Sequence, residues 1–372
     1  MRNLRGFLVA AIFGGLTWLL TWAAKQYQNV LYLAYPFMSR TVQDYLAAFT
    51  AKFDFCLWQV ALLAVIVAFL ATFVLTLLLR RNVRRWLGGW TAAASVVLFL
   101  FMGMWGLNYY NSNTLSESLR LEEVRYTTKN LRSATEYYRD KANALALEQK
   151  RDSSGGLEMS DFETLAAQAG EGFDAMTFRC SAFAGDRTPV KKLGFSQQFD
   201  RWGFTGVTVA LTGEAAVSTE TYVGALPFTM CHEMAHRISL AKEDEANFAA
   251  FLTCAANSSK EFRYSGYFMA YIYCYNALAR LDAAGAREVA AGVNAQFRRD
   301  LDDNTATVAK SDGPAKDAMQ DVYDGYQKSV GQAEGILTYD AVDSDLVNWY
   351  LSETAEPVEP DTPQFDPLQV EY

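Results

Sequence analysis

The chain has 372 residues, enough for more than one domain. Its formal net charge is −9, from 42 acidic and 33 basic side chains, with no basic stripe interleaved with aromatics, which argues against nucleic-acid binding. Long apolar runs dominate up to Tyr110 and charged, amphipathic sequence follows, which excludes a wholly water-soluble chain.

Three apolar runs, at about 7–24, 55–79 and 87–107, are long enough to cross a bilayer. Trp18, Trp22, Trp86, Trp90 and Trp105 stand near their ends, where interfacial aromatics concentrate. Arg2 and Arg5 before the first run and Ala23-Ala24 after it also suit a cleaved signal peptide, but the length and the tryptophans favour a retained anchor. Arg80, Arg81, Arg84 and Arg85 crowd the tight loop between the second and third runs. By the positive-inside rule this loop and the N-terminus are cytoplasmic, so the loop at 25–54 and everything after Leu107 lie outside. The expected organisation is a lipid-contacting, multi-pass anchor (1–107) in the cytoplasmic membrane, an extracytoplasmic domain (108–355) and a tail (356–372). Cys180, Cys231, Cys254 and Cys274 fall outside the spans; their spacing fits neither a disulfide-dense scaffold nor a thiolate zinc site, and a Cys254–Cys274 bridge stays open.

In the outer part, 115–150 reads as helical, 152–156 breaks the pattern, and Asp161 caps a helix through Met176. From 190 to 217 the signal turns β-prone, punctuated by Gly203, Gly206 and Gly213. Residues 213–221 form a candidate strand edge for holding an extended peptide, the alternative being an ordinary hairpin. Glu214 is either an acid behind a metal site or a polar strand end.

His232-Glu233-Met234-Ala235-His236 contains both histidines of the chain. On a helix, positions i and i+4 share one face, so both imidazoles can reach one zinc ion. Glu233 is rotated by about 100° from His232, close enough to address a water without being a ligand. Pro227 suits a first helical turn, while Met230, Cys231, Met234 and Ile238 fall on the opposite, core-facing side. Catalytic zinc takes three protein ligands and an open position. With no third histidine, the stretch Glu243-Asp244-Glu245-Ala246-Asn247 offers the carboxylate. Glu243 is preferred, because its face continues through Ala246, Asn247, Ala250 and Cys254, small residues that allow close approach. Glu245, roughly 200° away on that helix, is the alternative; acidic residues here also suit a plain helix start. Asn247, one turn on, can hold a ligand histidine by a hydrogen bond.

The HExxH followed by E-x-E-A-N resembles the gluzincin-type metallopeptidases, whose third zinc ligand comes from an ExxA(D/N) helix, a pattern that maps onto Glu243, Ala246 and Asn247. More closely, the chain resembles an uncharacterised bacterial family of membrane-anchored proteins with zinc-peptidase motifs, catalogued only as a domain of unknown function. The similarity runs through Trp105 to Tyr110, Phe204 to Val207, Thr212 to Ala215, Leu226 to Thr229, both motif stretches and Arg263 to Tyr267. It covers most of the chain up to about Tyr350. Ser239 departs from the glycine that family often has after the second histidine, yet a turn must form there before Glu243.

An aromatic helix follows, through Leu281. Peptide hydrolysis needs a donor for its oxyanion, and of Arg263, Tyr264 and Tyr267 we favour Tyr264, against the alternative that these residues are core. Further helices are expected at 285–299, 315–331 and 342–351, then an acidic, proline-containing disordered tail. The fold class expected is α+β, mainly helical: three transmembrane helices and a zincin-like domain with a small β-sheet. The function expected is a zinc metallopeptidase acting on peptide or protein substrates outside the membrane, with His232, His236 and Glu243 holding Zn²⁺ and Glu233 as general base. The alternatives are a non-catalytic zinc-containing envelope sensor or assembly protein and, less favoured, an intramembrane protease, against which the charges flanking the motif argue.

Overall fold

The computed structural model describes residues 4–122, 125–330 and 342–354; the tail expected at 356–372 lies outside them. The chain opens with α1 (Arg5–Gln26), α2 (Gln28–Thr50), α3 (Leu57–Leu78) and α4 (Val83–Met104). Among the described residues, α1, α3 and α4 are the helices long and apolar enough to cross a membrane. α4 starts four residues earlier than expected because the Asn82 side chain accepts from the Arg85 N–H and caps it. α1 and α4 cross where a Cβ on Gly6 would stand 2.2 Å from the Gly88 carbonyl oxygen, an approach only glycine permits.

The stretch at 25–54, expected as a loop, is largely helix α2. Its buried side chains, Tyr35, Ser39, Gln43, Ala47 and Thr50, recur at three- and four-residue steps and form one face. Three of them are polar, so the stretch lacks the hydropathy of a span while still having a side to bury.

A 3₁₀ turn (Gly106–Tyr110) leads into the C-terminal part of the chain, which contains α5 (Leu115–Ser118), α6 (Thr128–Ala146), the hairpin β1 (Lys150–Arg151) and β2 (Leu157–Glu158), and α7 (Phe162–Thr177). The helix expected at 115–150 is thus divided, Thr114 and Thr127 each starting a new helix through a capping box. Asp161 caps α7 as expected, accepting from the Thr164 N–H at 2.8 Å. Next come β3 (Lys191–Lys192), α8 (Ser196–Arg201), β4 (Gly206–Val209) and β5 (Glu214–Val217). They are followed by α9 (Leu226–Arg237), α10 (Glu243–Ala256), α11 (Lys260–Leu281), α12 (Ala283–Ala291), α13 (Ala295–Ala309), α14 (Pro314–Ser329) and α15 (Val342–Thr354). α12 and α13 divide the helix expected at 285–299, because Asn294 caps the Phe297 N–H at 2.8 Å.

The sheet order is β3-β5-β4, with β5 parallel to β3 and antiparallel to β4. This corrects the expected substrate edge: 213–221 contains the central strand, its Ala215, Ala216 and Val217 buried, and the edge beside the motif helix is β4. Helices α6, α7, α9, α10, α11 and α15 enclose the main core. All five cysteines are free, so the Cys254–Cys274 bridge is not formed. Motif helix α9, 12 residues long and buried throughout, belongs to this outer core and is too short for a span.

The N-terminal helices and the C-terminal part of the chain are joined by hydrogen bonds. Glu214, read from sequence as an acid behind the site or a polar strand end, is the strand end: it is the first residue of β5. Its oxygens accept from the Leu57 and Trp58 N–H groups at 2.7 and 2.8 Å, capping α3, and it pairs with Lys191 at 2.7 Å. Gln43 of α2 donates to the Ala210 carbonyl at 3.0 Å. Ser39, also on α2, takes a hydrogen bond from Asn108 and meets the Ser239 hydroxyl, each at 2.9 Å.

Candidate metal centre

Burial of Met230, Cys231, Met234 and Ile238 fixes the rotation of α9 and turns His232 and His236 toward α10. The chain leaves α9 through Ser239, whose left-handed φ of 77° makes the sharp turn the sequence requires. Glu243 is therefore the first residue of α10 and is brought back over the histidines. Its Oε2 stands 3.3 Å from His232 Nε2 and 3.4 Å from His236 Nε2, and the two Nε2 atoms are 3.0 Å apart. Donor atoms about 2.05 Å from a tetrahedral ion stand about 3.3 Å apart, so this set fits a small divalent cation.

The surroundings aim these atoms inward. His232 Nδ1 meets Asn247 Oδ1 and His236 Nδ1 meets the Leu240 carbonyl, both at 2.8 Å. Acceptors at both Nδ1 atoms put the ring proton there and leave the Nε2 lone pairs for a metal. Glu243 Oε1 accepts from the Tyr323 hydroxyl at 2.6 Å and from Gln327 Nε2 at 3.1 Å. Its Oε2 is buried and accepts no aligned hydrogen bond. Burial would raise the Glu243 pKa, but the two histidines hold it well below the usual carboxylate range. Burial would likewise lower that of His236, but Glu243 and Glu233 push it up to about 9.

Glu233 stands beside this group, almost fully buried, and its carboxyl is pushed up by burial against the opposing pull of both histidines and Thr208. Thr208 Oγ1 lies 2.7 Å from Glu233 Oε2. A Cβ on Gly206 would lie 2.4 Å from Glu233 Oε1, so glycine there lets β4 pass this carboxylate without displacing it. Above His232 and Glu233 opens a cleft of about 480 Å³, walled by 202–206, by Tyr273 of α11 and by Tyr323 of α14.

The structure brings together His232, Glu233, His236, Glu243 and Asn247. Glu245 is outside the donor group and pairs with Lys242 at 3.3 Å. Tyr264 is a correction: it is fully buried, donates to Asp300, and does not line the cleft, because its side of α11 faces the core. Arg263 and Tyr267 do not line it either. Sequence reasoning missed Thr208, Tyr323 and Gln327. Tyr323 is 80 residues from Glu243 in the chain, and no local pattern announces it.

Over residues 32–347 the chain matches the family described as Protein of unknown function (DUF3810). No curated protein and no solved structure matches it.

Proposed function

Since the chain belongs to the DUF3810 family, whose description names no activity, we propose from the site itself that it is a membrane-anchored, zinc-dependent peptidase acting outside the cytoplasmic membrane. The observation that carries this is the combination of three converging donors, His232, His236 and Glu243, with a buried carboxylate, Glu233, that is not one of them and opens on the cleft. A purely structural zinc site has no use for such a group and favours closed, thiolate-rich coordination. Bound there, zinc would supply a Lewis acid for the scissile carbonyl and a lowered pKa for water.

The remaining steps belong to side chains of this chain. Glu233, its carboxylate held by Thr208, accepts the proton of the attacking water and returns it to the leaving amine. Its raised affinity for a proton, caused by burial, suits both halves of that transfer. Asn247 and the Leu240 carbonyl keep the imidazoles oriented, and Tyr323 with Gln327 keeps Glu243 turned toward them. Edge strand β4 borders the cleft and can align an extended peptide by backbone hydrogen bonds. Trp202, Phe204, Phe228 and Met269 favour an apolar substrate side chain beside the scissile bond.

The test uses the full chain in nanodiscs, with metal content and hydrolysis of a quenched fluorescent peptide pool measured together. Wild type is expected to carry about one zinc per chain, Glu243→Ala to lose it, and Glu233→Gln to keep it while losing hydrolysis. Zinc in wild type without hydrolysis of any peptide, or hydrolysis surviving in Glu233→Gln, overturns the reading.

A further inference from the structure

The inner face of α2 is covered by the C-terminal part of the chain, and its opposite face is largely apolar and, among the described residues, uncovered. Leu33, Phe37 and Tyr45 are 72, 73 and 76 % exposed, and Val30 and Met38 are exposed beside them. At 100° per residue these five fall within an arc of about 140°. Asp44, which falls within this arc, and Arg40, at its edge, turn toward the protein. Arg40 Nη1 donates to the Ser181 carbonyl at 2.8 Å, and the Asp44 carboxyl takes the backbone N–H of Asp186. A contiguous aromatic and aliphatic surface of this kind marks a partner.

The chain's own path identifies that partner. One residue separates the end of α1 at Gln26 from α2, and six separate the end of α2 at Thr50 from the start of α3 at Leu57. α1 and α3 are consecutive candidate spans, so the end of one and the start of the other lie at the same membrane face. A helix of 23 residues, about 34 Å long, tied at both ends to that face must lie along it. With protein above, through Gln43 to Ala210 and Ser39 to Ser239, the bare side is the one turned to the bilayer. Phe195 provides a second, separate contact. It is 80 % exposed in a left-handed conformation, next to Gly194, which exchanges hydrogen bonds of 3.0 and 2.8 Å with Gln59 in the first turn of α3.

We infer that α2 is an interfacial helix whose outer face, centred on Leu33, Phe37 and Tyr45, is seated in the lipid boundary between headgroups and acyl chains and holds the cleft at the membrane surface. The lipid seat stands independently of the peptidase reading. It is tested by attaching a nitroxide to Leu33→Cys, Phe37→Cys and Tyr45→Cys, one at a time, in the full chain in phosphatidylcholine and phosphatidylglycerol nanodiscs. The native cysteines are all buried, which directs the label. Ala284→Cys, on exposed α12 away from the anchor, is the control. The three α2 labels are expected to collide with oxygen more, and with a water-soluble nickel chelate less, than the control, reporting depths of about 5–10 Å below the phosphates. Collision ratios equal to the control overturn the inference. So does shielding from both reagents, which means that protein rather than lipid covers the face.

Discussion

Replacement of Gly206 by alanine separates positioning of the proposed general base from the proposed metal binding. The added Cβ would lie 2.4 Å from Glu233 Oε1, 2.7 Å from its Cγ and 2.8 Å from its Cδ. Ordinary contact is about 3.5 Å, so the carboxylate must retreat by about 1 Å. A flexible glutamate in solvent would do so at little cost. This one is buried and its Oε2 is held by Thr208 at 2.7 Å, so retreat breaks that bond or displaces β4. Overpacking of this kind costs about 1–3 kcal/mol of stability, and a misplacement near 1 Å lowers a rate by about 100-fold. The expected result for Gly206→Ala is unchanged zinc content, an earlier thermal unfolding transition and peptide hydrolysis reduced by about two orders of magnitude. The His/His/Glu donors are untouched, so loss of zinc would also be informative. A folded Gly206→Ala protein that hydrolyses peptides at the wild-type rate refutes the claim that Glu233 acts from this position.

Asn247→Ala removes the acceptor of His232 Nδ1 and is expected to weaken zinc binding by about 10–100-fold in competition with a chromophoric chelator; unchanged affinity removes Asn247 from the site. Tyr264→Phe deletes a donor to Asp300, which keeps its pair with Arg151, so stability should fall by about 1.5–3 kcal/mol with the rate per folded molecule unchanged. A rate loss without destabilisation would restore Tyr264 as the oxyanion donor. Glu214→Ala leaves Lys191 without its carboxylate and α3 without its cap; breaking such a buried pair costs about 3–5 kcal/mol, read as earlier unfolding in detergent. A transition within experimental error of wild type would show that this junction carries no load.

The parts of the fold that were legible in the sequence are those set by local rules. The candidate spans α1, α3 and α4 are announced by hydropathy, and α7 and α9 by a cap, a proline and periodicity. His232 and His236 were legible because a four-residue spacing puts both on one helical face, and Glu243 because it opens the next helix on a face of small residues. What escaped depends on partners distant in sequence. α2 has polar residues on its buried face, and only the Ala210 carbonyl and Ser239 explain them. The sheet order could not be read because β4 and β5 are only four residues each, and which becomes the edge is decided by β3 pairing with β5. Tyr264 misled because an aromatic helix offers several tyrosines; the rotation of α11 turned Tyr264 to the core and Tyr273 to the cleft.

Trp105, one residue beyond the end of α4, donates its indole N–H to the His236 carbonyl at 3.0 Å. The ligand helix is thus fastened directly to the end of a candidate span, with no linker to give it reach. For the proposed peptidase, that short tether acts as a ruler. A substrate anchored in the same bilayer encounters the cleft by two-dimensional diffusion, at an effective concentration in the millimolar range, without any tight recognition sequence. A free protein passing by has no such advantage. Selectivity in such an arrangement comes from address: how far a target's cleavable stretch stands from the membrane decides whether it is cut.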